Sequence, residues 1–588
     1  MTIEGWITLA VITVCLGLMA ADKTAPSVVL FGGAVFLMLV GVIDTPTALA
    51  GFSNPAPFTV AALYVVARAI EKTGGLQPLV RGTLGGSGGP TRRLLRLLWP
   101  VGASSAFLNN TPIVAMLTPQ VADYADREGE PASWYLMPLS FAAILGGLVT
   151  VIGTSTTVVV SGLLESAGEA PLGMFSVTPL GLPIAVVGIV FLAFLAPRLL
   201  PARRASRRQF SDDVREFAVN MRVTKGGDLV GRSVEEAELR HLRGVFLAAV
   251  HRDDEVIVPV GPELILRGGD LLTFAGQADQ VLDLQSKSGL QSAELEHAVD
   301  FHGAGHTYFE AVIGPASPLV GTTLRDVDFR RRYQAAVLAI HRAGQRVPEK
   351  LGSVRLQAGD TLRIIADSAF KERWLGRTDF LLVAGIGGMA PTRSREAGWV
   401  VAIIAGIVLL AASGLLPILH AALLGAVLVP ALGILTPAEC RRAVDLDVVM
   451  MIASAFGIGA AMEASGLAGE VADLVFGLFA GWGAGGTVFG LVVVTVILTE
   501  LVTNNAAAIL VFPIAMSVAQ SVGAEPTPYA IAVAVAASAS FLTPIGYQTN
   551  TMVYGPGGYR FSDYARLGAP LTVMVAVMIS VLVPRLWL

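Results

Sequence analysis

The amino-acid sequence predicts a polytopic α-helical membrane protein, folded as an inverted repeat with two re-entrant hairpins and interrupted by an inserted α+β unit. The first observation behind this is composition. Of 588 residues, 54% are hydrophobic and 15% charged, with a mean hydropathy of +0.66, whereas soluble chains carry about a quarter charged residues. The second is a polar motif duplicated inside apolar sequence: Ser105-Ala106-Phe107-Leu108-Asn109-Asn110-Thr111-Pro112 and Thr499-Glu500-Leu501-Val502-Thr503-Asn504-Asn505-Ala506. Placing Asn110 on Asn504, a shift of about 394, also puts Ser105 on Thr499, Thr111 on Asn505 and Pro119 on Pro513, and a constant offset marks an internal repeat. Two broken apolar segments, Val151-Ile152-Gly153-Thr154-Ser155-Thr156 and Pro544-Ile545-Gly546-Tyr547-Gln548-Thr549, recur at about 393. The third is a change of pattern between Ser211 and about Arg377, where short Val/Leu/Ile runs, Gly-Asp turns and mixed charge replace long apolar stretches.

Apolar runs able to cross about 30 Å of hydrocarbon fall near Gly5 to Ala20, Pro26 to Ile43 and Pro57 to Ile70. A hairpin from Leu95 to Val121 follows, its tip at Asn109-Asn110-Thr111-Pro112, then a charged loop from Asp123 to Glu130, a span broken at Gly153, and a span from Pro179 to Leu199. The second half repeats the order: Trp399 to Leu415, Ile418 to Leu435, Val448 to Ala464, a hairpin from Thr487 to Val518, a broken span from Tyr529 to Tyr554, and a last span from Leu567 to Val583. The expectation is ten spans and two hairpins, in membrane repeats 1–200 and 396–588. With both termini outside, Arg81, Arg92, Arg93, Arg96, Arg203, Arg204, Arg207, Arg208, Arg441, Arg442, Arg560 and Arg566 share the cytoplasmic face. Five spans per half is an odd number, so the halves insert oppositely and their hairpin tips meet near the midplane. The run from Trp6 to Ala20 lacks a basic flank and reads as a retained span. Localisation is expected in the cell's inner (plasma) membrane.

The insert is itself duplicated at a spacing of about 90: Leu229-Val230-Gly231 with Leu319-Val320-Gly321, His251-Arg252 with His341-Arg342, and Gly269-Asp270 with Gly359-Asp360. Its two units are 211–293 and 300–380, both cytoplasmic. They resemble tandem TrkA-C domains, the ligand-binding modules of potassium-transport regulators. That resemblance implies a nucleotide-type ligand or a pairing surface that makes the protein a homodimer. His251 and His341 read as strand residues, and Cys15 and Cys440 lack ligand spacing, so no metal centre or disulfide is expected. Acids and bases are interspersed, which excludes a nucleic-acid patch.

Backbone that leaves a helix inside a membrane has to be satisfied by protein or by a water-lined cavity, so the breaks mark the binding region. Ser, Thr, Asn and Gly there supply oxygens to a small hard cation, while freed N–H groups and helix N-termini favour an anion. Glu500 is an intramembrane carboxylate, read as a structural hydrogen-bond acceptor because Ala106 is its repeat counterpart. Glu71 and Glu463 match within the repeat and mark span ends.

At these residues the chain resembles the divalent anion:sodium symporter family of the ion-transporter superfamily, which carries a Ser-Asn-Thr signature at both tips, preceded in the second by Thr-Glu. Thr499-Glu500-Leu501-Val502-Thr503-Asn504-Asn505, and Ser105 with Asn109-Asn110-Thr111, fit it, with Asn109 and Asn505 as departures. The resemblance implies a sodium site at Ser105, Asn109, Asn110 and Gly153, and a second at Thr499, Thr503, Asn504, Pro544 and Gly546. It places a divalent anion among Asn110, Thr111, Asn504 and Asn505, with Thr154 and Gly546. The combination with a TrkA-C insert resembles the sulfate-uptake branch, so the implied protein is a sodium-coupled sulfate symporter working by elevator-type alternating access. The alternatives are a C4-dicarboxylate or other anion carrier, and a ligand-gated channel, against which the lack of a Thr-Val-Gly-Tyr-Gly filter speaks. No nucleophile, base and orienter constellation suggests an enzyme, and the glycine runs Gly82 to Gly89 and Gly385 to Gly388 read as loops.

Overall fold

The computed structural model describes residues 1–20, 24–75, 89–203, 218–239, 245–252, 255–257, 260–276, 289–292, 306–314, 317–342, 345–347, 351–367, 370–374, 377, 379–386 and 394–587. Helices α1 (Ile3–Ala20), α2 (Pro26–Leu39), α3 (Thr45–Leu49) and α4 (Pro55–Thr73) open the chain. Next come α5 (Pro90–Ser105), α6 (Asn110–Glu128), α7 (Ser133–Gly147), α8 (Ser155–Ser166) and α9 (Thr178–Leu199). After the insert follow α12 (Ser394–Ala412), α13 (Ile418–Ala431), α14 (Pro437–Ala443), α15 (Leu446–Ala464), α16 (Leu467–Phe479), α17 (Gly483–Leu501), α18 (Asn504–Ser521), α19 (Pro526–Ser538), α20 (Gln548–Tyr554) and α21 (Phe561–Trp587). Element numbers α10 and α11 belong to the insert.

Burial sorts these helices. Nearly every residue of α7, α18 and α19 is buried, as expected of helices apolar all round that sit inside a larger bundle. By contrast α1, α2, α9, α12, α13 and α21 each keep exposed large apolar side chains, Val28, Phe36, Phe194, Leu409, Val427 and Val573 among them. Those outer faces suit lipid. One contiguous core runs from Ile12 to Val583, so both halves share it. Glycines permit the tightest crossings: a Cβ on Gly146 would stand 2.2 Å from Gly102 O, so α5 and α7 touch backbone to backbone. Asn54 caps α4 by accepting from Ala56 N at 2.8 Å and donates to Gly162 O and Ser166 Oγ, tying α4 to α8.

Several expectations change. Instead of ten spans of crossing length, the described residues contain five such helical segments, Thr45–Thr73, Thr178–Leu199, Leu446–Ala464, Gly483–Leu501 and Phe561–Trp587, beside six shorter apolar helices. The expected charged loop Asp123 to Glu130 is mostly helix, because Arg93 pairs with Glu128 at 3.0 Å and Glu130 at 2.8 Å and lets α6 continue. Helix α16, too short at 13 residues to read as a span, was not expected. Cys440 lies in α14, not a loop, since Thr436 and Glu439 form a capping box before it.

The insert contains two five-stranded antiparallel sheets of identical order. The first, β3-β2-β4-β1-β5, uses β1 (Ala218–Val223), β2 (Val245–Arg252), β3 (Glu255–Ile257), β4 (Leu271–Gly276) and β5 (Leu290–Ser292). The second, β8-β7-β9-β6-β10, uses β6 (His306–Val312), β7 (Ala335–Arg342), β8 (Gln345–Arg346), β9 (Thr361–Asp367) and β10 (Leu382–Ile386), with short helices α10 (Phe329–Tyr333) and α11 (Phe370–Trp374). Strand β10 carries this sheet past the expected end at 380. Gly385 is therefore strand, paired with Phe309, because β10 completes the sheet edge; Gly82 to Gly88 and Gly387 to Gly388 lie outside the described residues. The repeated Gly-Asp turns have a physical role. Gly269 (φ +101) and Gly359 (φ +85) take left-handed backbone, and the following Asp270 and Asp360 each receive a two-pronged Arg, Arg252 and Arg342, at 2.7 to 2.9 Å. The sheets meet through Ala249, Ala336 and Ile365, and the Gly359-Asp360-Thr361 turn rests on the membrane helices at Tyr554 and Gly555.

Lys72, in the last turn of α4, reaches both Glu439 oxygens at 2.7 and 2.9 Å and so ties α4 to α14. Burial pushes the Glu439 carboxyl up, but the Lys72 ammonium and the Thr436 N–H and hydroxyl outweigh it and hold the group at about 2 against an ordinary 4.5. A carboxyl lowered on folding stabilises the fold above its unfolded value and loses that contribution as pH falls through its folded value. The thermal midpoint should therefore drop between pH 4.5 and 2, and drop less steeply in Glu439→Gln. Identical pH profiles for the two proteins would show that this tie contributes nothing.

Candidate functional site

Four helix starts face one another at the centre of the bundle. After α5, residues 106–109 turn the chain into α6, which begins at Asn110; after α17, residues 502–503 turn it into α18, which begins at Asn504. After α7 the chain is irregular until α8 begins at Ser155, and after α19 until α20 begins at Gln548. Each start presents the positive end of a helix dipole.

In the first half the Ser105 hydroxyl donates to Asn110 Oδ1 at 2.6 Å, and Asn110 Nδ2 donates to the Tyr547 hydroxyl at 2.7 Å. Both ends of this buried amide are thus used. Thr154 is buried, and its Oγ1 lies 3.5 Å from the Tyr547 oxygen. Thr111 reaches Gln548 Oε1 only at 3.4 Å. In the second half Ser155 Oγ and Thr156 Oγ1 donate to Asn505 Oδ1 at 3.2 and 3.1 Å. The exchange is reciprocal: each break binds the start of α6 or α18 in the opposite half.

The two turns differ within. Thr499 Oγ1 has one hydrogen, and a 2.6 Å bond to Ala537 O takes it, leaving Asn504 Oδ1 as a neighbour at 3.5 Å. Glu500 Oε1 accepts from Ser540 Oγ at 3.1 Å and Leu542 N at 3.0 Å, holding the irregular segment 539–547 against α17. Its buried Oε2 has no hydrogen-bond partner among the described residues and lies beside Gly546, where a Cβ would stand 2.9 Å away. Asn550 Nδ2 donates to the carbonyls of Ser540 and Thr543, which satisfies backbone that has left the helix.

The residues singled out in the sequence divide accordingly. Ser105, Asn110, Thr154 and Tyr547 form one cluster and Asn505, Ser155 and Thr156 another, with Thr499 and Asn504 alongside. Thr503 instead caps α18 and donates to Met451 Sδ at 3.2 Å. The Pro544 carbonyl is taken by Thr551 Oγ1 at 2.7 Å. Asn109 lines a cleft together with Val66, Ala67, Leu108, Ser155 and Ile407. Gly153 and Gly147 press together, since a Cβ on Gly153 would meet Gly147 O at 2.5 Å. Sequence reasoning missed Ser155, Thr156, Tyr547 and Gln548 as site residues, although each follows a breaking glycine within three positions.

A substitution separates these contacts from bulk packing. A Cβ on Gly147 would stand 2.7 Å from Asn110 Oδ1 and 3.1 Å from Gly153 O, whereas one on Gly32 in α2 meets nothing within 4 Å. Gly147→Ala should destabilise the purified protein by about 1–3 kcal/mol, read as a lowered thermal midpoint, while Gly32→Ala should not. Equal midpoints would mean that the Asn110 turn is free to shift.

The chain is similar to several proteins named as transporters. The profile of the citrate transporter family matches residues 16–535 and again 483–588. An uncharacterized transporter of Synechocystis is 36% identical over 98% of this chain and 96% of its own length. Sodium/sulfate cotransporter 1 of Chlamydomonas reinhardtii is 27% identical over 95% of this chain and 87% of its own, and sodium/sulfate cotransporter 2 of that organism is 26% identical over 98% and 89%. With polar helix starts gathered inside an apolar bundle and likeness running along almost its whole length, the chain belongs to the citrate transporter family and is a multi-pass membrane transporter of anions.

Proposed function

We propose that the protein is a sodium-coupled symporter of a small divalent oxyanion, sulfate first, moving it by elevator-type alternating access. The convergence of four helix N-termini, at Asn110, Ser155, Asn504 and Gln548, carries this reading. Helix N-termini and neutral Asn, Ser and Thr donors favour a dianion without any side-chain cation, and the sequence has no Lys or Arg between Arg442 and Arg560. Two relatives are named for sodium and sulfate, which supports the same choice. For sodium, the oxygen-rich surroundings of Ser105, Asn110, Gly147 and Gly153 suit a small hard cation. Around Thr499, Asn504 and Glu500 a second set is available, to which Thr503 and Pro544 contribute less because their oxygens are engaged. The insert is read as a cytoplasmic pair of TrkA-C-like units that takes a nucleotide-type ligand or joins two protomers; the two sheets of identical strand order support the reading of a repeated unit.

The family description favours a second reading, a citrate or C4-dicarboxylate substrate, since the same donors bind carboxylates. Purified protein in proteoliposomes distinguishes them. An inward sodium gradient should drive accumulation of labelled sulfate, an equal potassium gradient should not, and Asn110→Ala and Asn504→Ala should each cut uptake about tenfold or more. Faster accumulation of citrate or succinate than of sulfate would establish the second reading. Undiminished uptake in both variants would overturn the site.

A further inference from the structure

The two breaks end in the same backbone conformation but carry different side chains at that last position. The repeat offset pairs Thr154 with Tyr547. Both residues are helix N-caps in nearly identical extended conformation, φ −138, ψ 145 for Thr154 and φ −141, ψ 137 for Tyr547. A threonine at 547 would end near its own half. The tyrosine instead spans the centre: its oxygen accepts from Asn110 Nδ2 at 2.7 Å and comes within 3.5 Å of Thr154, its own counterpart.

We infer that Tyr547 is the residue that sets anion size, an inference that rests on an anion being held between the two turns. The Tyr547 side chain occupies the Asn110–Thr154 side of the shared centre, so a long anion that must reach donors of both halves at once would meet the ring, and a compact tetrahedral dianion would be excluded less. The phenol has a second role. Because its oxygen accepts from Asn110, its own hydrogen stays available, and it presents to the anion a donor that Thr154 cannot extend so far. One side chain therefore removes room for a long dicarboxylate and adds a donor for a short one.

A purely structural tyrosine, pinning the first turn, would behave differently on substitution. Full-length wild type, Tyr547→Phe and Tyr547→Thr are compared in proteoliposomes under a sodium gradient, with labelled sulfate and succinate and with thermal midpoints measured in parallel. Tyr547→Thr should raise the succinate-to-sulfate uptake ratio about tenfold or more. Tyr547→Phe keeps the ring and loses the donor, so it should leave that ratio low while raising the sulfate KM about tenfold. A folded Tyr547→Thr with the wild-type ratio overturns the inference, as does a Tyr547→Phe that admits succinate as freely as Tyr547→Thr. If wild type itself prefers succinate, or neither anion accumulates, it is the sulfate reading of the site that fails. A variant with a collapsed midpoint is replaced by Tyr547→Leu, for which an intermediate ratio is expected and an unchanged one counts against the inference.

Discussion

Everything at the centre of this molecule depends on where the backbone goes when it stops being a helix among apolar neighbours. An unpaired N–H or carbonyl there is costly, and four chain breaks bring many of them together. Side chains of both halves meet there and pair across the repeat. Ser155 and Thr156 from the first break bind Asn505, Tyr547 from the second binds Asn110, and Asn550 and Glu500 take up the polar groups of residues 540–543. Backbone in each break is satisfied largely within its own half, by Thr157 on the Val151 and Thr154 carbonyls and by Asn550 and Thr551 on those of Ser540, Thr543 and Pro544, while the polar side chains find their partners across the halves.

The same constraint explains the glycines and the asymmetry. Gly147 and Gly153 allow the first break to fold back on itself, and Gly546 lets the second lie against Glu500. Where the repeat is matched, its chemistry is not: Asn110 is held tightly by Ser105, while the hydroxyl of Thr499 is committed to Ala537 and leaves Asn504 looser. Two turns with equivalent sequence positions thus offer different donors and acceptors to what passes between them.

The inserted sheets are built on a second repeated device, a left-handed glycine followed by an aspartate that receives an arginine from 18 residues earlier. The second copy of this turn has another use, as it rests on Tyr554 and Gly555 just after α20. From there the contacts run through the Tyr554 and Tyr564 rings, 6.1 Å apart, to the Tyr564 hydroxyl on Asn550 O at 2.7 Å. The insert is therefore packed against the element that begins at the candidate site.

Most of the membrane architecture was legible because apolar length and a repeat offset are properties of the chain itself. Composition set the class, and the offset of about 394 located the paired turns and breaks. Helix ends were less legible: the charged stretch 123–128 is helical because Arg93, 30 residues away or more, pairs with it, and β10 is a strand because β6 offers it an edge. The sequence by itself determined that Asn110, Asn504, Gly153 and Gly546 belong to one duplicated polar centre. Only the tertiary structure decided that each break crosses to the other half, that Thr503 caps its helix and bonds Met451, and that Ser155, Thr156 and Tyr547 join the site. A repeat can be read along one chain, but which half supplies the partner of a buried polar group depends on how the two copies face each other in space.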